Sequence, residues 1–69
     1  MANVSSESRA AALELMHDYF AREMSQIDKD VAWIQDNVSD PDKREKRLSY
    51  QEWKRQQVRS MIAFLGFFE

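Results

Sequence analysis

The stretch LELMHDYFAREMSQIDKDVAWIQDNV, from Leu13 to Val38, decides the fold of this sequence. Along it, large apolar residues recur at intervals of 3, 4, 4, 3, 4, 3 and 4 residues. These intervals average close to the helical repeat, so the side chains fall on one narrow stripe of a single long helix. The stripe consists of Leu13, Met16, Phe20, Met24, Ile27, Val31, Ile34 and Val38. We expect it to be buried in a core or a dimer interface.

The limits of this first helix follow from the residues around the stripe. Neither glycine nor proline interrupts the chain from Ser5 to Asp40, and Ser5 or Ser6 can cap the first turn. Pro41 cannot continue a helix and also restricts the residue before it. The sequence therefore predicts a helix over about residues 5–38.

A second helix is indicated by a capping box, Ser49-Tyr-Gln-Glu52, with Leu48 and Trp53 placed as a hydrophobic staple. The predicted turn before it covers 39–48. Within that turn, Asp40 could cap a short helical segment that has Pro41 in its first position.

The second helix should end at Gly66, which can adopt the left-handed capping conformation and let Phe67 fold back on Ile62. The prediction is thus a helix over about 49–65. Its apolar face is broad, about half the circumference, which suits a helix placed between two partners. The residues of this face that we assign to the core or dimer interface are Val58, Met61, Ile62, Phe64 and Leu65.

The two predicted arms are unequal, about 50 Å against about 26 Å, so a single hairpin leaves part of the long stripe uncovered. Charge favours the hairpin itself. Residues 1–42 carry nine acids and three bases (net −6), and residues 43–69 carry seven bases and three acids (net +4). We therefore expect one all-α domain, 1–69, that is a helical hairpin and assembles as an antiparallel homodimer of four helices.

Motifs for catalysis, metals or cofactors are missing from the sequence. The chain has no cysteine, one glycine and one histidine, His17, whose neighbour Asp18 points about 100° away on a helix. We expect no enzyme activity, no metal and no cofactor. The start of the chain does not resemble a signal peptide, and the apolar run 61–68 is too short to span a bilayer, so we expect a cytoplasmic protein.

Two alternative functions remain open. The basic residues of the 43–59 region could bind DNA as a small dimeric regulator, although the chain as a whole has a net charge of −2. The aromatic end of the second helix, 64–68, could instead lie on a membrane surface. Neutralisation of the acidic first helix and burial in a dimer explain the same residues.

Aromatic and arginine side chains outside the stripe are candidates for binding another protein, because such residues are enriched in interface hot spots. The candidates are Leu15, Tyr19, Arg22, Trp33, Arg47, Tyr50, Trp53 and Arg55. Trp53 is also explained by the staple, whereas Trp33 has no structural explanation in the sequence.

The second helix opens with Ser49-Tyr-Gln-Glu-Trp53 and closes with Phe64-Leu-Gly-Phe-Phe68. A helical hairpin of this length with such a second helix resembles the small early proteins with which temperate bacteriophages disable host factors. It is most similar in size and build to phage-encoded quorum-sensing anti-activators. The resemblance implies a dimer that inhibits a host autoinducer-responsive transcriptional activator. It also implies a second host target, the ATPase that assembles type IV pili. No functional residue is carried over from it.

Overall fold

The computed structural model describes residues 5–68, which form two helices packed side by side as a hairpin. Helix α1 covers Ser6–Asn37 and helix α2 covers Pro41–Leu65, followed by one 3₁₀ turn over Gly66–Phe68. The described chain contains no β-strand and measures 55 × 18 × 15 Å. The predicted all-α hairpin is therefore confirmed.

Helix α1 begins and ends as its sequence predicts. The Ser5 hydroxyl accepts a hydrogen bond from the backbone N–H of Ser8 at 3.1 Å, which satisfies one of the unpaired donors of the first turn. At the other end, the Val38 N–H donates to the Ile34 carbonyl at 2.9 Å. The Asn37 side chain donates to the Trp33 carbonyl and satisfies another acceptor of the last turn.

Helix α2 begins at Pro41, so the predicted turn over 39–48 and the predicted helix start at 49 are wrong. The connection is only residues 38–40. The Asp40 carboxylate accepts from the N–H groups of Asp42 and Lys43 at 3.0 and 3.2 Å. With this cap and with Pro41 at the first helical position, the helix is already nucleated eight residues before the capping box.

The capping box and the staple are consequently not formed. Ser49 lies in the middle of α2 and is exposed. The Glu52 carboxylate accepts from the Gln56 side chain at 3.1 Å and from Arg55 at 3.5 Å, as a mid-helix residue does. Trp53 is exposed and its ring stacks on Tyr50, with 6.1 Å between the ring centroids.

The predicted left-handed cap at Gly66 is also wrong. Gly66 has φ −58° and ψ −25°, a right-handed conformation, and its N–H donates to the Ala63 and Phe64 carbonyls. A tightened 3₁₀ turn thereby satisfies the last carbonyls without a positive φ. Phe67 does not fold back on Ile62 in the way the cap would require: it is 85% exposed, and its ring lies beside that of Phe64 at 6.3 Å.

The core of a single hairpin is small. Three apolar side chains are buried where the helices meet, namely Ile27, Ile34 and Leu65, and of these Ile27 is fully buried. Most of the other predicted core residues are half-buried along the same seam: Leu13, Phe20, Met24, Val31, Val38, Val58 and Ile62. Met16, Met61 and Phe64, which we also expected in a core or dimer interface, are exposed in the single chain.

The expected inequality of the two arms is smaller than the sequence suggested. Helix α2 has 25 residues, against 32 in α1, and the 3₁₀ turn extends it further. The apolar surface left uncovered has another cause. Two helices in contact share one narrow seam, and the broad apolar face of α2 is wider than that seam.

Candidate protein-binding surfaces

Large apolar side chains are mostly on the outside of this hairpin. Ten of them are exposed in the described chain: Leu15, Met16, Tyr19, Trp33, Tyr50, Trp53, Met61, Phe64, Phe67 and Phe68. Apolar surface that is contiguous and rimmed by polar residues marks interaction sites. These side chains come together in two grooves and on one flank of α1.

One group lies at the end of the hairpin away from the 38–40 connection and forms what we call the open-end groove. Its volume is about 740 Å³. The ring of Phe64 packs edge-on against that of Phe68 at 5.3 Å, so the 3₁₀ turn supplies part of the wall. The lining residues are Arg9, Ala12, Leu13, Met16, Phe20, Met61, Phe64, Leu65, Phe67 and Phe68.

A second group lies near the connection and forms the loop-end groove, of about 430 Å³. It brings together three of the sequence-predicted binding residues, Trp33 from α1 with Arg47 and Tyr50 from α2. The ring of Tyr50 stacks with that of Trp53 and also contacts the Lys54 ammonium, whose Nζ lies 5.1 Å from the ring centroid. The lining residues are Asp30, Trp33, Ile34, Lys46, Arg47, Tyr50 and Gln51.

Gln51 is a feature of the loop-end groove that sequence reasoning missed. It is only 8% exposed, and its carbonyl oxygen Oε1 has no hydrogen-bond partner among the described residues. A buried acceptor without a donor costs about 1–3 kcal/mol. The burial of Gln51, though not its missing partner, was signalled in the sequence, because Gln51 lies seven residues before Val58 and fourteen before Leu65, on the seam side of α2.

The remaining candidates on α1 form a separate flank. Leu15 is 70% exposed, and Tyr19 is exposed with its ring edge-on to Phe20 at 5.5 Å. The Arg22 guanidinium forms an ion pair with Asp18 one turn earlier, at 2.6 Å. None of these three residues lines the same groove as Trp33.

Arg55 has a role inside the hairpin. Its guanidinium binds the Asp28 carboxylate of α1 at 2.7 Å and contacts Glu52 of its own helix at 3.5 Å. The Arg55 side chain is only 23% exposed. It therefore joins the two helices, whereas Arg47 stays on the surface of the loop-end groove.

His17 is half-buried on α1. Within residues 5–68, no three side chains of the metal-ligating types lie close enough together to hold an ion. Neither of the two described helices combines the length and the apolar character needed to cross a membrane.

The chain matches no protein-family model, and no curated protein and no solved structure is significantly similar to it.

Proposed function

We propose that this chain is a non-catalytic, homodimeric protein-binding module that inhibits its target by covering the target's functional surface. The observation that carries the proposal is the distribution of large apolar side chains: ten are exposed, while three apolar residues form the buried core. Exposed apolar surface in this proportion favours association with other polypeptides. A module of this kind needs no reactive group.

A second copy of the chain is the occupant that we propose for the open-end groove. The groove contains Met16 of the stripe on α1, and Met61 and Phe64 of the broad apolar face of α2. The single hairpin leaves all three exposed. A domain of this size rarely buries enough apolar area alone, and the chain has no disulfide to compensate. An antiparallel pair of hairpins would make a four-helix arrangement.

The identity of the target is proposed from the resemblance to phage-encoded quorum-sensing anti-activators. The primary target is then an autoinducer-responsive transcriptional activator of the bacterial host, and the chain acts in the host cytoplasm. The pilus-assembly ATPase is proposed as a second target. The size and the two-helix build of the chain support this proposal, as do its exposed aromatic residues, which can anchor it on a partner.

The experiment that tests the proposal is a competition for promoter DNA. Autoinducer-loaded activator is bound to a labelled duplex carrying its promoter site, and the purified chain is added in increasing amounts. We expect the activator to leave the duplex in proportion to the amount of chain added, because steric inhibition is stoichiometric. The same titration with the pilus ATPase should lower ATP hydrolysis.

Two results would contradict the proposal. An activator that stays on its promoter in the presence of excess chain is not a target. A duplex that is bound by the chain itself, in a manner that weakens steeply with salt, supports the DNA-binding alternative instead.

A further inference from the structure

We infer that the loop-end groove is a docking site for an acidic polypeptide segment that carries an apolar or aromatic side chain. The inference rests on the proposed protein-binding function and assigns it a surface and a partner chemistry. Two features of the groove point to this occupant: its apolar walls and its charged rim.

The walls of the groove suit an apolar side chain. Trp33 and Tyr50 face it from the two helices, and Ile34 lies between them at the seam. The volume of about 430 Å³ is enough for one or two large side chains of a partner. Aromatic walls of this kind are typical of hot-spot pockets, in which a partner anchors a single residue.

The rim selects for negative charge. Lys46 and Arg47 line the groove four and three residues before Tyr50, so all three side chains lie on one side of α2. The ion pairs formed within residues 5–68 leave these two cations without a carboxylate. The lining also contains one acid, Asp30, which accepts a hydrogen bond from Gln26 at 2.9 Å, so two cations stand against one carboxylate and the formal charge of the lining is +1.

A random-peptide display library, selected on the full chain, tests this chemistry directly. We expect the selected peptides to be enriched in Asp and Glu around a Trp, Phe or Leu. One selected peptide is then labelled, and its affinity is measured by fluorescence anisotropy for the wild-type chain and for variants of the groove.

The charge of the rim is tested with the double variant Lys46→Glu/Arg47→Glu. Its matched control is Lys29→Glu/Arg59→Glu, which makes the same charge change at exposed positions outside the groove. The groove variant should lose peptide binding, and the control should keep it to within a factor of about three at physiological salt.

Four results overturn the inference: enrichment of basic peptides; selected peptides that bind the rim variant as tightly as the wild type; duplex DNA that binds the wild type and not the rim variant; and a change of oligomeric mass in the rim variant, which would make a second copy the occupant. Failure of the proposed function looks different. Peptide docking then persists in the groove, but the activator and the ATPase are unaffected by the chain. Conversely, if the groove variants still inhibit those targets, the function stands and this groove is not where they bind.

Discussion

The Arg55 guanidinium of α2 donates to the Asp28 carboxylate of α1 at 2.7 Å, and among residues 5–68 this is the ion pair that joins the two helices. Arg55 lies near the middle of α2, and Asp28 lies in the last third of α1. Arg55 is also held by Glu52 one turn earlier, so its side chain is positioned before it reaches Asp28. The pair thus helps to set how the two arms align along the seam.

Replacing Arg55 by Gln should lower the free energy of unfolding by about 0.5–1 kcal/mol, because a partly buried ion pair and its hydrogen bond are lost. Urea denaturation followed by circular dichroism measures this change. The control is Asp18→Asn, which breaks the exposed pair with Arg22 within α1 and should cost about 0.3–0.5 kcal/mol. Equal losses in the two variants would show that the inter-helix pair has no special role.

The start of α2 can be tested with two alanine variants. Asp40→Ala removes the acceptor of the Asp42 and Lys43 N–H groups and should cost about 1 kcal/mol of stability. Ser49→Ala should be neutral or slightly stabilising, since alanine is the better residue in a helix interior. If thermal unfolding instead shows a loss at Ser49 and none at Asp40, the helix starts at the capping box.

Gly66→Ala should be tolerated. Gly66 has a negative φ, and a methyl group added there meets no atom within 4 Å. The substitution should therefore leave stability unchanged or raise it by up to about 1 kcal/mol. A loss of more than about 1 kcal/mol in chemical denaturation would indicate the left-handed conformation that the sequence suggested.

Tyr19→Ala and Trp33→Ala should weaken binding to the target while helix content and oligomeric mass stay as in the wild type. Both side chains are exposed in the hairpin, so their removal leaves little cavity. Titration calorimetry with the activator measures the affinity, circular dichroism measures the helix content, and Lys29→Ala serves as the exposed control. Unfolding of either variant would place that side chain in the core.

The first helix was predictable because its signals agree. The apolar stripe, the serine cap and the break before Pro41 all indicate one helix, and α1 follows them to within a residue at each end. The start of α2 was not predicted because two capping signals compete in the sequence. Asp40 with Pro41 precedes Ser49 with Glu52, and nothing between them breaks a helix, so the earlier cap sets the start.

The binding surfaces were only partly predictable. The exposure of Trp33 and Tyr50 could be inferred because neither residue was assigned to the stripe of α1 or to the core residues of α2. Their meeting in one groove, however, depends on how the two helices align. That alignment is a tertiary property, to which the short connection, the apolar seam and the Asp28–Arg55 pair all contribute. The unpaired Gln51 acceptor likewise appears only when the seam is formed.

Sedimentation equilibrium at micromolar concentration tests most directly the claim that two copies cover each other's open-end grooves. We expect a mass twice the 8.2 kDa of one chain, at full helix content. A fully helical species with the mass of a single chain would contradict it.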